Sequence, residues 1–117
     1  MTELWRLGAA ALAQGFRSGA FTPVDALEAC LARAAVCQPL FNAFIHLDRD
    51  GARIAAEASR VRWSRGAPLS PLDGVPVSLK DNLHAQGLPT TWGSRLIRHT
   101  HRSLTNCRWP GCALRAR

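Results

Sequence analysis

The run Gly74-Val-Pro-Val-Ser-Leu-Lys80-Asp-Asn-Leu83 limits the choice of fold more than any other part of the chain. It reads as a buried strand ending in a charge. In extended backbone Val77 and Leu79 share one face, while Ser78 and Lys80 share the other. A strand of this kind, placed after helical segments, makes the chain a mixed helix-and-strand protein. The charge is also singular. Of the 15 Lys and Arg side chains, Lys80 alone is a lysine, and an amine can lose its proton where a guanidinium cannot.

Upstream, Thr2 is a candidate N-cap, and Leu4, Leu7, Ala11 and Leu12 fall at helical spacing. This predicts a first helix to Arg17, with Gly15 and Gly19 at its frayed end. Thr22-Pro23 opens a second helix: the threonine caps, and proline at the first helical position gives up an N–H that has no partner there. Val24, Leu27, Leu31 and Ala34 form its apolar stripe, and Pro39 is expected to stop it. Asn42 to Leu47 fits a strand or, being short, a turn of helix. Asp48 or Asp50 caps a third helix through Ser64, with Ile54, Ala58 and Val61 facing inward. Arg65 to Asp73 is a surface connection rich in Gly, Pro and Ser. The strand Val75 to Lys80 follows, and Leu83 to Ser94, with Gly87, Pro89, Thr90, Thr91 and Gly93, is a loop.

A chain of 117 residues that is 47% hydrophobic has the size and composition of one globular domain with a small core. Its formal charge of +7 is unevenly placed. Residues 1–94 hold nine cations against eight acids, whereas residues 95–117 hold six arginines and no acid. The basicity belongs to the tail. An arginine tail attracts phosphates, but this one has a single tryptophan, Trp109, for stacking and no binding motif. The apolar stretch Leu7 to Leu12 is too short and too interrupted to span a bilayer. Four cysteines without a signal peptide read as free thiols in the cytoplasm. Cys30 and Cys37 lie about 10 Å apart along one helix, too far for a disulfide.

Between an apolar strand and a glycine-rich loop, desolvation favours the neutral form of Lys80. Bringing a lysine from near 10.4 to near 7 takes about 4 to 5 kcal/mol, which a built site supplies and a solvated strand end does not. Asp81 either neutralises Lys80 or bonds the backbone N–H groups of the following loop. Ser78 points the same way as Lys80, and side chains so placed do not converge as a Ser-Lys couple. His99, His101, Cys107 and Cys112 are zinc-type side chains, but their loose spacing and lack of flanking glycines read as coincidence. His46 and His84 are isolated, ordinary histidines.

Four segments together carry a resemblance. They are Leu27-Glu-Ala-Cys-Leu-Ala-Arg33, Phe41-Asn-Ala-Phe-Ile-His-Leu-Asp48, Pro71-Leu-Asp-Gly-Val-Pro-Val-Ser-Leu-Lys-Asp-Asn-Leu83 and Gly87-Leu-Pro-Thr-Thr-Trp-Gly-Ser94. In order and spacing they resemble the N-terminal part of the amidase signature family, over residues 1–98. The resemblance implies an α/β fold, a mixed β-sheet layered between helices and incomplete here. It implies hydrolysis of carboxylic amide C–N bonds by a Ser, cis-Ser, Lys triad, with a small-molecule amide substrate and neither metal nor cofactor. Lys80 matches the family's catalytic lysine. The two family serines lie in a glycine- and serine-rich segment, and these 117 residues contain no Gly-Gly-Ser run. Ser78, Ser94 and Ser103 therefore do not inherit those roles, and the chain by itself is expected to be inactive. Within the family the competing reading is the amidase-like subunit of a glutamine-dependent tRNA amidotransferase. From outside it, the competitor is a small basic protein that binds nucleic acid through its tail.

Beyond Arg98 the pattern ends, and residues 99–117 gain cysteine, tryptophan and arginine together, as GC-rich DNA does when read out of frame. Shifted so that each codon takes one base from the preceding residue, Asn106-Cys107 becomes leucine and Trp109-Pro110 becomes alanine whichever synonymous codons are used. Both are compatible with the family's continuation. The tail is therefore expected to be an out-of-frame translation without native order.

Overall fold

The computed structural model describes residues 3–85 and 88–97 and the backbone of residues 113–116. Leu4–Arg6 form a 3₁₀ turn, and α1 runs over Ala9–Ser18 with Gly8 as its N-cap. The single helix expected here is thus divided. Leu7 and Gly8 are extended, because glycine is costly inside a helix but acceptable at a cap. Thr2 lies outside the described residues. At the other end Gly19 is left-handed, φ 72°, and Ala20 N–H returns to Gly15 O at 3.1 Å, closing the helix as a Schellman turn does. Gly15 marks no fraying: it is buried, and the Phe21 ring occupies the space a Cβ would need.

Helix α2, Pro23–Phe41, opens on a full capping box. Thr22 Oγ1 accepts Asp25 N–H at 3.2 Å, and Asp25 Oδ2 accepts Thr22 N–H at 2.8 Å. Pro39 does not stop the helix. It costs the helix the bond that an N–H here would give to the carbonyl one turn back, and the end comes three residues later at Asn42, left-handed with φ 46°. Gln38 then fixes the exit by exchanging two hydrogen bonds with the backbone of Phe44, at 2.7 and 3.0 Å. Phe44–Leu47 form β1. Asp48, through Gly51 N–H at 3.1 Å, caps α3, Arg49–Ser64.

Two apolar clusters hold these helices. Leu27 and Leu31 of α2 meet Ala52 and Ala56 of α3, with Phe44 and Leu47 of β1 against them. Leu12 and Phe16 of α1 meet Ala26 and Val75, flanked by Phe21 and Trp63. The inner face of α3 is therefore Ala52, Ala56 and Ser59, not the expected Ile54, Ala58 and Val61. Ile54 is 73% exposed. Small residues let α3 approach the leucines of α2 closely, a preference that hydropathy alone does not express. The Trp5 ring meets the guanidinium groups of Arg6 and Arg33, each carbon 4.6 Å from the ring centre, and the Arg33 contact ties the N-terminal turn to α2.

The sheet has the order β1-β3-β2, with β2 at Val77–Lys80 and β3 at Ala113–Ala116. β3 is antiparallel to β1, with Leu47 opposite Leu114, and parallel to β2, with Lys80 opposite Ala116. The sequence predicts no strand in the tail. The physical basis for one is that β1 and β2 each offer a row of backbone N–H and C=O groups, which any extended segment can satisfy whatever its side chains.

Candidate active site

Pro76 has no N–H to give a ladder, so β2 begins at Val77 rather than at Val75. Its approach is fixed from below. Gly74 is left-handed, φ 85°, and a Cβ there would stand 2.7 Å from Pro23 Cβ and against the Ser59 hydroxyl. Only glycine fits between the start of α2 and the flank of α3. Beside it, Asp73 is clamped by Arg62 through two bonds of 2.7 and 2.6 Å and accepts Leu69 N–H at 3.0 Å. The Arg62 guanidinium holds the Asp73 carboxyl below the ordinary aspartate range. Trp63 Nε1–H donates to the Asp73 carbonyl at 2.9 Å.

Along β2, Leu79 is buried and Val77 half-buried, while Ser78 and Lys80 are exposed, in the alternation expected of the strand. Lys80 ends the strand, and Leu83 N–H returns to its carbonyl at 3.0 Å. The desolvated setting expected for Lys80 is not built by the described residues: its side chain stands open to solvent. Asp81, by contrast, is only 4% exposed. Its carboxylate accepts Thr91 N–H at 2.8 Å, Gly93 N–H at 3.2 Å and the Thr91 hydroxyl. Of the two readings of Asp81, the loop-holding one describes these bonds.

The loop it holds is a tight turn. Ser94 N–H donates to Thr91 O at 2.9 Å across Trp92, φ 54°, and Gly93, φ 69°. Two consecutive left-handed residues define a type I′ turn. Lys80, Asn82, Thr91, Trp92, Ser94 and Arg95 line a cleft of about 740 Å³, with Ile45 and Ile97 at its apolar side. Ser78 lines a different cavity, about 320 Å³, with Trp5, Cys30, Arg33 and Cys37. The strand therefore sends its serine and its lysine to separate sites. Ser94, Trp92 and Thr91 share the cleft with the lysine, and the signal for them in the sequence is their membership of the Gly87–Ser94 segment that carries the resemblance. His84 lies beside the cleft, its ring 6.0 Å from that of Trp92. His46 is half-buried in β1. Burial pushes the Cys30 thiol up, the behaviour of an inert structural cysteine. His99, His101, Ser103, Cys107 and Cys112 lie outside the described residues. No helix among the described residues is long and apolar enough to cross a membrane.

An exposed lysine at a strand end, facing a carboxylate-pinned turn across a cleft, occurs here on helices packed beside a mixed sheet. Comparison with known proteins gives this arrangement its class. The amidase family model matches residues 25–103, which carry α2 from Asp25 onward, β1, α3, β2 and the cleft, and the chain belongs to this family. Over 97 residues it is 43% identical to the A component of the glutamyl-tRNA(Gln) amidotransferase of Chloroflexus aurantiacus, an alignment covering 83% of this chain and 20% of that one. The chain thus spans about a fifth of the length of the curated relatives it matches. Among solved structures, a bacterial aryl acylamidase of the amidase signature family shares the fold, with a TM-score of 0.81 at 24% identity, covering 94% of this chain and 25% of that one. A protein from a vestigial complex that reveals the origins of an s-triazine catabolic enzyme gives a TM-score of 0.77 at 28% identity, covering 93% and 25%.

Proposed function

We propose that Lys80 is the general base of a Ser, cis-Ser, Lys mechanism for hydrolysing small carboxylic amides, and that the 117-residue chain alone does not turn over. The observation that carries this reading is the opening of the Lys80 side chain into the cleft walled by the Thr91–Ser94 turn. In the mechanism the neutral amine takes a proton relayed by the bridging serine. The nucleophilic serine oxygen attacks the amide carbonyl, and the proton passes to the departing nitrogen. Water then releases the acyl group from the serine ester.

The test is a chimera in which residues 1–97 of this chain replace the matching segment of the Chloroflexus aurantiacus relative. Amide hydrolysis by the chimera should fall about 10²- to 10⁴-fold on Lys80→Ala. An unchanged rate removes Lys80 from the mechanism. Hydrolysis of simple aryl or aliphatic amides by the purified 117-residue chain, abolished by Lys80→Ala, overturns its inertness.

The 43% identity to an amidotransferase component favours a second reading, a subunit that takes ammonia from glutamine for transfer to an aminoacyl-tRNA. A chimera that releases ammonia from glutamine but leaves simple amides intact supports it. We place the protein in the cytoplasm, in keeping with the free thiols of Cys30 and Cys37. We assign residues 1–98 to the amidase and residues 99–117 to an out-of-frame tail. Pairing by Ala113–Ala116 is compatible with that origin, since it uses backbone groups that any sequence carries. The nucleotide sequence tests it: a shifted frame downstream that does not encode the serine-rich segment overturns the assignment.

A further inference from the structure

We propose that Trp92 determines specificity in the Lys80 cleft, its indole forming a stacking wall that favours amides bearing a flat aromatic ring over saturated amides of the same size. The proposal rests on the reading of that cleft as the amide site. Trp92 is the wrong residue for its backbone. At φ 54° it lies in the left-handed region, which glycine enters freely and a bulky side chain enters at a cost. Such a conformation persists only where the surroundings impose it. Here they do: the buried Asp81 carboxylate takes the N–H groups on both sides of Trp92, those of Thr91 and Gly93. The ring gains little packing in return. It is 59% exposed and meets His84 at a tilt of 51°, leaving indole surface open on the cleft that also holds Lys80. A large aromatic side chain, held in a costly conformation and left uncovered beside the reacting amine, presents a surface for a planar ligand.

The experiment follows the indole N–H resonances of the 117-residue chain by NMR during titration with benzamide and with cyclohexanecarboxamide, which have the same carbon count and differ in flatness. Benzamide should shift the Trp92 resonance saturably and bind about three- to tenfold more tightly than the saturated amide. Trp92→Gly should abolish that preference while leaving the melting temperature unchanged or raised, because glycine suits φ 54°. Equal binding of the two amides, no saturable shift at Trp92 up to the solubility limit of benzamide, or a preference that survives in Trp92→Gly overturns the proposal. A Trp92→Gly chain that melts lower makes the indole structural and overturns it too. Failure of the Lys80 reading appears separately, as hydrolysis by the chimera that Lys80→Ala leaves intact.

Discussion

Asp73 shows how much one residue can carry. Its carboxylate joins α3 to the connection leading into β2, and its side chain is 6% exposed against 27% for Arg62. Such a pair is dry enough for loss of one partner to leave the other poorly solvated. Asp73→Asn is expected to cost about 2 to 4 kcal/mol at neutral pH. The pH dependence has a definite sign. Because the folded carboxyl is held below its ordinary range by Arg62, its contribution is fully present above the unfolded value, near 3.9, and is lost as pH falls through the lower folded value. Urea unfolding followed from neutral pH down into the acid range should show that loss in the parent chain and a shallower one in Asp73→Asn. Parallel profiles would remove Asp73 as the source. The pairs Arg53–Glu28 and Arg60–Glu57 lie on the surface and are expected to contribute little.

At the scale of elements, β3 makes the sharpest prediction, since among the described residues it is the partner of both β1 and β2. Deleting residues 113–117 should raise amide exchange at Val77–Lys80 tenfold or more, equivalent to about 1.4 kcal/mol of local protection. Undiminished protection would mean that β2 does not rely on β3. The helices are more legible than this strand. Thr22, Pro23 and Asp48 announce α2 and α3 because capping is chemistry between residues three apart. The face that α3 buries is hidden from periodicity because Ala52 and Ala56 are suited to closeness with Leu27 and Leu31, which lie in another element. Lys80 is legible as the odd lysine among arginines, and Asp81 as either the partner of that lysine or a holder of the next loop, of which the bonds to Thr91 and Gly93 describe the second. Trp92 is not, since its left-handed backbone is imposed by Asp81 rather than preferred by tryptophan. The β3 pairing is unreadable for a deeper reason: it depends on open backbone groups elsewhere, and not on what Ala113–Ala116 are.

For the whole molecule the notable quantity is apolar surface. Leu40 and Phe41 at the end of α2 and Ile54 on α3 are each more than 70% exposed, in a chain about a fifth the length of its relatives. Surface of this kind invites association. Phe41→Lys with Ile54→Arg should reduce self-association in sedimentation experiments while shifting stability by less than about 0.5 kcal/mol per site. A large fall in melting temperature would show that these side chains are packed after all. The strand order also sets a timetable for folding. β1 and β2 cannot pair with each other in this arrangement, because β3 lies between them. The helices, built from contacts close in sequence, can assemble early, whereas the sheet must wait until the chain has closed two long loops to bring Ala113–Ala116 into place. A slow, late phase that reports on β2, after a fast one that reports on α2 and α3, is therefore written into the topology, and for that interval the lysine strand lacks the ladder that β3 supplies.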